Sequence, residues 1–193
     1  MSAIPPLRTP DFPGPDFSGR GPRFAIDRRL CLAANHWGAR RAVGMFFGLV
    51  SRLGDGIFWY ALMAALALFD GRRGLLASAQ MAATGLTALL LYRLLKRWTR
   101  RPRPFRTCPG VIAHVPPLDE FSFPSGHTLQ AVSFTVVGLA WYPILTPLLL
   151  SFTALVAASR VILGLHYPSD VLAAIMIGSG LGALSLWLSS LML

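Results

Sequence analysis

The stretch Phe121-Ser122-Phe123-Pro124-Ser125-Gly126-His127 leads directly into an apolar segment with helical periodicity. Pro124 and Ser125 are typical of the start of a helix. Gly126 lets the backbone approach a ligand closely, and the free N–H groups of a helix start bind anions. A histidine at that point can hold or release a proton near neutral pH. An ordinary helix cap has the same pattern, so the meaning of this stretch depends on which other segments reach it.

The composition of the 193-residue chain is that of a membrane protein. Hydrophobic residues make up 54% and charged residues 13%, with a mean hydropathy of +0.55, which is too apolar for a soluble domain of this length. The formal net charge of +10 suits anionic lipids or an anionic substrate. Nucleic acid is excluded as a partner because there is no basic soluble domain to carry it. Cys31 and Cys108 are far apart in sequence and form no ligand pattern, so neither a disulfide nor a metal site is expected.

The distribution of polar residues divides the chain into three regions. Residues 1–24 are rich in Pro, Gly, Asp and Arg and are expected to form a disordered tail, whose prolines leave no signal sequence. Residues 25–53 mix apolar residues with arginines, and neither apolar piece reaches the roughly 20 residues of a crossing. We interpret them as amphipathic helices at the membrane interface. The alternative is a partial first span, a tilted crossing over 42–70 broken at Gly54-Asp55-Gly56.

Residues 54–193 are expected to form the membrane domain, an all-α bundle of five to six transmembrane helices. Five apolar stretches qualify as spans by length and composition. They cover about residues 55–70, 74–97, 125–141, 144–163 and 168–192, and a polar loop over 98–124 follows the second of them. Gly178 and Gly182 in the last stretch are spaced for close contact between helices.

Counting the crossings brings three distant segments to one membrane face. The second span ends at Lys96, the 98–124 loop stays on that face, and the third span leaves it at Ser125. The fourth span returns, so the segment 160–170 arrives on the same face. Residues 96–104, 124–127 and 160–170 therefore meet at helix ends, where backbone groups are free. Ionisable residues at such positions are candidates for function, because they are costly near lipid.

The basic residues on this face suit a phosphate group. They are Lys96, Arg97, Arg100, Arg101, Arg103 and Arg160. Arginine makes bidentate contacts with phosphate, and lysine acts as a point charge. Taken alone, the cluster over residues 96–106 is equally well explained as a cytoplasmic anchor under the positive-inside rule.

Two histidines and a carboxylate reach the same face. Asp170 lies four residues after His166 and is placed to hold one imidazole nitrogen, which leaves the other as a nucleophile. His127 comes from the opening stretch and is available as an acid or base. A metal site would need more carboxylates or clustered His and Cys, so this set favours phosphoryl transfer without a metal.

Four further polar residues receive structural interpretations. Asp119 and Glu120 are expected to be solvated loop residues, and the alternative is that they steer the substrate. His36 and His114 have no partner in view.

Three motifs in these segments resemble the signature of the phosphatidic acid phosphatase type 2/haloperoxidase superfamily, and the resemblance covers about residues 55–192. The first motif is a lysine, six residues and Arg-Pro. The second is Pro-Ser-Gly-His, and the third is Ser-Arg, five residues, His, three residues and Asp. The matching residues are Lys96 with Arg103-Pro104, then Pro124 to His127, then Ser159-Arg160 with His166 and Asp170. The peroxidase branch does not fit, because its members are soluble and larger.

The resemblance implies a role for each motif residue. His166 is the expected nucleophile that forms a phosphohistidine, Asp170 orients it, and His127 protonates the leaving oxygen and then activates water. The residues expected to bind phosphoryl oxygens are Lys96, Arg103, Ser125, Gly126 and Arg160. The family uses neither a metal nor a cofactor for this chemistry, and its membrane members typically have six spans.

These expectations describe an integral membrane phosphatase that hydrolyses the phosphomonoester or diphosphate of a lipid, with membrane lipids as its other partners. Candidate substrates are undecaprenyl diphosphate, phosphatidic acid, phosphatidylglycerophosphate and lipid A phosphates. One alternative is a phosphotransferase to a lipid or sugar acceptor, and another is a non-catalytic protein that binds anionic lipid. The resemblance places the site on the extracytoplasmic face of the inner membrane. The distribution of arginines favours the cytoplasmic face instead, because only Arg72 and Arg73 mark the other side.

Overall fold

The computed structural model describes residues 22–191. Its regular secondary structure in that part of the chain is entirely helical. They are α1 (Pro22–Gly38), α2 (Arg41–Arg52), α3 (Phe58–Phe69), α4 (Gly71–Thr99), α5 (Pro104–Thr107), α6 (Gly126–Trp141), α7 (Thr146–Ile162) and α8 (Pro168–Ser190). A π-helical turn, Leu53–Ile57, joins α2 to α3, and a 3-10 turn, Pro143–Leu145, precedes α7. The predicted all-α fold is confirmed. Residues 1–21 of the predicted tail lie outside the described residues, and residues 22–24 begin α1.

Within the described residues, four helical runs are long and apolar enough to cross a membrane. They are Arg41–Phe69, Gly71–Thr99, Pro143–Ile162 and Pro168–Ser190. The remaining predicted span, the third in chain order, corresponds to α6, which has 16 residues and packs against α4, α7 and α8. Most of its side chains are buried among these neighbours. The chain is therefore a multi-pass membrane protein with α6 at the centre of the bundle.

The first crossing begins earlier than the favoured sequence interpretation places it. Residues 41–69 form one helical run, so of the interfacial helices expected over 25–53 only α1 is separate from it. The alternative interpretation, a crossing broken at Gly54-Asp55-Gly56, describes the segment better. The break is the π turn, in which Gly56 has a φ of 137°, a value that favours glycine. The piece before the turn is too short to span alone, but it continues through the turn into α3.

Helix α1 buries two polar side chains against the protein and exposes several apolar ones. Asp27 and Asn35 are buried. The Asn35 amide donates to the carbonyls of Ile112 and Ile162 at 2.8 and 3.2 Å, and its oxygen accepts from the N–H of Ile112 at 2.9 Å. The exposed apolar side chains are Ile26, Leu30 and Trp37. Helix α1 is thus tied to the loop after α5 and to the end of α7.

The contact between α6 and α8 depends on glycines, as the sequence predicts. A methyl group at Gly182 would lie 2.7 Å from Cβ of Val136, and one at Gly178 would lie 2.7 Å from the carbonyl of Leu129. Such distances leave no room for a side chain, so the two helices approach closely. The close approach places the N-terminus of α6 beside that of α8, where the backbone N–H of Ser125 donates to the carbonyl of Asp170 at 3.3 Å.

The other end of the bundle is held by a compact polar group. Tyr142 donates to the carboxylate of Asp70 at 2.5 Å, and the guanidinium of Arg73 lies 4.9 Å from the centre of the Tyr142 ring. These residues join the turn before α4 to the turn after α6. Because α4 runs from this turn to Lys96, the polar group and Lys96 lie at opposite ends of the helix.

Candidate active site

Several parts of the chain meet at one end of the bundle and enclose a cavity of about 500 Å³. The last turn of α4 contributes Lys96, the start of α6 contributes His127, and the turn after α7 contributes His166. These are the segments that the crossing count brings together. A further part is the π turn of the first crossing, which adds Asp55 and was not part of the predicted site.

His166 is held in one orientation by the backbone around it. Gly164, with a φ of 74°, turns the chain after α7, and the N–H of His166 donates to the carbonyl of Arg160 at 3.0 Å. Nδ1 lies 2.6 Å from the carbonyl oxygen of Ser122. A carbonyl only accepts hydrogen bonds, so Nδ1 carries the proton and donates it. Nε2 is then left with its lone pair, 3.3 Å from Nη1 of Arg103.

The environment keeps the imidazole of His166 uncharged. The side chain is 1% exposed, and burial, followed by the charges of Arg103 and Arg160, holds the pKa of His166 well below its usual value. Burial and nearby cations both disfavour the imidazolium form. The lone pair on Nε2 is therefore available at neutral pH, as a nucleophile requires.

Asp170 lies beside His166 and not in direct hydrogen-bond contact with it. Its Oδ2 is 3.7 Å from Nδ1 of His166, because the carbonyl of Ser122 occupies the position nearest to that nitrogen. The fully buried carboxylate accepts instead from the N–H of Tyr167 at 2.9 Å and from Nη1 of Arg101 at 2.6 Å. The carboxylate of Asp170 thus caps α8 and adds negative charge on the Nδ1 side of the ring.

Arg101 connects this carboxylate to α1. Its Nη2 lies 2.9 Å from the Asp27 carboxylate, while its Nη1 also donates to the Ser169 hydroxyl at 2.8 Å. Asp27 in turn accepts from the N–H of Ser169 at 3.0 Å and contacts the Ser169 hydroxyl. Arg101 was predicted only as a member of the basic cluster, and nothing in the sequence pairs it with a residue 74 positions earlier.

Lys96 and Arg103 share one carboxylate, that of Asp119. Nζ of Lys96 lies 2.7 Å from both carboxylate oxygens, and Nη2 of Arg103 lies 2.7 Å from Oδ1. Both cations are buried, whereas the Asp119 side chain is 40% exposed towards the cavity mouth. Burial alone would raise the pKa of Asp119, but Lys96 and then Arg103 outweigh it and hold that pKa below its usual value.

The position of Asp119 differs from the solvated loop that the sequence predicts. Its carboxylate lies between two cations that were predicted to bind phosphoryl oxygens. A carboxylate and a phosphoryl group offer the same kind of acceptor oxygens to such cations. The available signal was an acidic residue in the loop between the Lys96 motif and the Pro124 motif, but loop position alone does not distinguish a solvated acid from a paired one.

Arg160 enters the cavity from α7 with a free donor. Its Nη1 donates to the hydroxyl of Ser51 at 2.5 Å, which links it to α2. Among the described residues, its buried Nε–H has no hydrogen-bond partner. A buried unpaired donor on a guanidinium is costly, and an anion bound in the cavity would satisfy it.

The segment from Phe121 to His127 lines one side of the cavity. Gly126 is the first residue of α6 and lines the cavity, where the first N–H groups of the helix are free to bind an anion. A methyl group at Gly126 would lie 3.1 to 3.2 Å from the ring of Tyr92. Ser125 is fully buried, and its hydroxyl lies 2.9 Å from that of Thr128, so its side chain supports the helix start from behind.

His127 contacts a carboxylate that the sequence analysis did not assign to the site. Its Nε2 meets Oδ1 of Asp55 from the π turn. The side chain of His127 is 12% exposed and that of Asp55 is 35% exposed. Each histidine of the cavity therefore has its own carboxylate nearby.

The predicted site residues are thus close together. Those that line the cavity are Lys96, Arg103, Gly126, His127, Arg160 and His166. Ser125 and Asp170 lie behind this lining, both fully buried. In residues 22–191, no three His, Cys, Asp or Glu side chains are grouped to hold a metal ion. A neutral imidazole facing three cations and a helix N-terminus is an arrangement suited to attack on a phosphoryl group.

Several known proteins are similar to this chain. The model of the PAP2 superfamily matches residues 76–191. A decaprenylphosphoryl-5-phosphoribose phosphatase from Mycobacterium tuberculosis is 35% identical over 129 residues, which cover 64% of this chain and 66% of that protein. An undecaprenyl-diphosphatase from Sulfolobus acidocaldarius is 28% identical over 145 residues, which cover 73% and 68%. The chain therefore matches just under two thirds of the length of the mycobacterial relative.

Two solved structures are similar over most of their length. The PAP2-type phosphatidylglycerolphosphate phosphatase of Bacillus subtilis superposes with a TM-score of 0.69 and 26% identity, covering 86% of this chain and 85% of that one. LpxE of Aquifex aeolicus superposes with a TM-score of 0.71 and 25% identity, covering 83% and 94%. Both alignments exceed the 76–191 range of the family model, so the similarity extends beyond the motifs. Together with the family model, these structures identify the chain as a membrane member of the PAP2 superfamily.

Proposed function

We propose that this protein is an integral membrane phosphatase that hydrolyses the phosphomonoester or diphosphate of a lipid through a phosphohistidine intermediate, without a metal. One observation carries the proposal: the neutral His166 presents the lone pair of Nε2 to a cavity that contains Lys96, Arg103 and Arg160. A nucleophile and three cations at one point are what phosphoryl transfer requires, because its catalysis is mostly positioning and charge stabilisation.

In the first step, Nε2 of His166 forms a bond to phosphorus while the bond from phosphorus to the lipid oxygen breaks. A proton from His127 moves to that leaving oxygen. In the second step, water forms a new P–O bond, the N–P bond breaks, and the water proton returns to His127. Lys96, Arg103 and Arg160 hold the phosphoryl oxygens throughout, and inorganic phosphate is released. The carboxylate of Asp170 stabilises the positive charge that develops on the His166 ring.

The lipid we favour is a polyprenyl-linked phosphate or diphosphate. Two relatives in different organisms are named for a decaprenylphosphoryl sugar phosphate and for undecaprenyl diphosphate, whereas the Bacillus structure is named for a glycerophospholipid. Three of the crossing helices expose apolar side chains near the cavity end, among them Leu49, Leu94 and Leu172, where a long lipid tail would remain in the bilayer. We place the site on the extracytoplasmic face, which the family resemblance implies, although the distribution of arginines favours the other face.

The test is phosphate release by the purified protein from undecaprenyl phosphate, undecaprenyl diphosphate, phosphatidic acid and phosphatidylglycerophosphate. We expect His166→Ala to abolish release and His127→Ala to slow it by about 100-fold or more, which is the scale of lost acid–base help. His36→Ala is the matched control, because His36 is exposed on α1. Full activity of His166→Ala would contradict the proposal and favour a protein that only binds anionic lipid. Loss of activity in EDTA would contradict the metal-free mechanism.

A further inference from the structure

The first membrane crossing contains a single carboxylate, Asp55, in the middle of an apolar run. An acidic side chain within a span is costly unless it faces a polar interior. Here the π turn directs it into the cavity, and π turns inside helices are frequent at functional sites. The turn depends on its flanking glycines, because Gly56 has a φ of 137° and a methyl group at Gly54 would lie 3.0 Å from Val156.

The partner of this carboxylate is the histidine that the proposed mechanism uses as acid and base. Oδ1 of Asp55 contacts Nε2 of His127 across 72 residues of sequence. An imidazole has only two nitrogens, so a carboxylate on one of them determines which nitrogen remains to exchange a proton with the substrate. In this arrangement the remaining nitrogen is Nδ1.

The charges around His127 explain why a carboxylate is needed there. The groups that face it are Arg160 from α7, Lys96 from α4, the neutral His166 and Asp55. The two cations oppose a protonated imidazole, but an acid must carry its proton before it can donate it. Asp55 is the anion that offsets them, since an opposite charge at hydrogen-bond distance favours the charged form of its partner.

We propose that Asp55 is a positioning residue for His127: its carboxylate holds Nε2, orients the ring towards the leaving oxygen, and stabilises the protonated ring that donates from Nδ1. This inference rests on the proposed function, because it requires His127 to act as the acid. When the N–P bond to His166 forms and the P–O bond to the lipid breaks, the Nδ1 proton passes to the leaving oxygen. When water attacks, Nδ1 takes the proton of water. The carboxylate of Asp55 keeps its hydrogen bond to Nε2 in both steps.

The test compares two phosphomonoesters that differ in their need for an acid. Dodecyl phosphate has a poor alkoxide leaving group, whereas 4-nitrophenolate leaves without a proton. We expect Asp55→Asn to lower kcat/KM for dodecyl phosphate by about 10- to 100-fold and to change it far less for 4-nitrophenyl phosphate. His127→Ala should show the same dependence on the leaving group, and Asp55→Glu should recover part of the loss. Asp70→Asn, a carboxylate at the opposite end of the bundle, is the matched control and should behave as the wild type.

A second measurement needs no substrate. In protein labelled with ¹⁵N-histidine, the His127 signal, assigned by its loss in His127→Ala, should titrate at lower pH in Asp55→Asn than in the wild type. Unchanged titration and unchanged kcat/KM in Asp55→Asn would overturn the role of Asp55, as would an equal loss on both substrates with unchanged titration, which indicates a purely structural effect. The proposed function fails separately, if His166→Ala releases phosphate at the wild-type rate.

Discussion

At the scale of single residues, the Asp119 carboxylate is the main departure from expectation. It binds the two buried cations Lys96 and Arg103 in the cavity, where the proposed substrate would place its phosphoryl oxygens. Without an anion, these cations would repel each other in a setting where charge is poorly screened. Asp119 therefore stabilises the site when it is empty, and a phosphoryl group would replace it.

The pH dependence of stability tests the role of Asp119. A carboxyl whose folded-state pKa is depressed stabilises the fold above its unfolded pKa of about 3.9, and this stability is lost as the pH falls through the folded value. We expect Asp119→Asn to lower the free energy of unfolding of the solubilised protein at pH 7 by about 1–2 kcal/mol. This loss is smaller than the loss of a fully buried ion pair would be, because solvent screens the half-exposed Asp119. The wild type should lose this advantage as the pH falls from about 3.9 through the folded pKa of Asp119, and the two melting temperatures should coincide only below that folded value.

The control for this comparison is Glu120→Gln. Glu120 is the next residue and forms an exposed ion pair with Arg106 at 3.2 Å, so its loss should leave the melting temperature unchanged. Inorganic phosphate should stabilise Asp119→Asn more than the wild type, because the anion then has no internal competitor. Equal melting temperatures of Asp119→Asn and the wild type at pH 7 would contradict the assignment.

At the scale of helices, the close contact of α6 with α8 brings the second and third motifs together. His127 lies in the first turn of α6 and Asp170 in the first turn of α8. The distance between these two residues therefore depends on how closely the two helices pack. Gly178 and Gly182 permit that packing. A change in these glycines far from the cavity should therefore alter both stability and activity.

Gly182→Ala and Gly180→Ala provide a matched pair on one helix. A methyl group at Gly182 would lie 2.7 Å from Cβ of Val136, whereas one at Gly180 would have no neighbour within 4 Å. We expect Gly182→Ala to destabilise the protein by about 1–3 kcal/mol through overpacking, and Gly180→Ala to be neutral or mildly stabilising because alanine favours helices. Thermal unfolding in detergent measures both. A neutral Gly182→Ala would show that α6 and α8 are not in close contact there.

At the scale of the whole molecule, α1 lies outside the 76–191 match to the family yet supports the site. Asp27 accepts from the N–H of Ser169 in the first turn of α8 and pairs with Arg101, which binds Asp170. This chain of contacts connects the start of the described residues to the turn that contains His166. It gives the N-terminal segment a structural role that an interfacial helix would not have.

We expect Asp27→Ala to lower both the melting temperature and kcat, since it removes one of the carboxylates that Arg101 binds and the acceptor for the Ser169 N–H. The free energy of unfolding should fall by about 1–3 kcal/mol. Arg28→Ala, an exposed neighbour on the same helix, is the control. Wild-type stability and activity of Asp27→Ala would show that α1 is independent of the site.

The sequence alone determined the class of the protein, the order of the crossings and the residues of the three motifs. Hydrophobic runs have a length that the bilayer sets, and the parity of crossings follows from their number, so Lys96, His127 and His166 could be assigned to one face without coordinates. Only the tertiary structure decided which side chains pair within that face. The carboxylates Asp55, Asp119 and Asp27 lie far in sequence from His127, Lys96 and Arg101, and such pairings follow from helix packing and loop path, which no local pattern encodes. The same reason explains the first crossing: the two short apolar pieces either side of Gly54–Gly56 make one span only because α7 packs against α2 and the π turn holds the break inside the bundle.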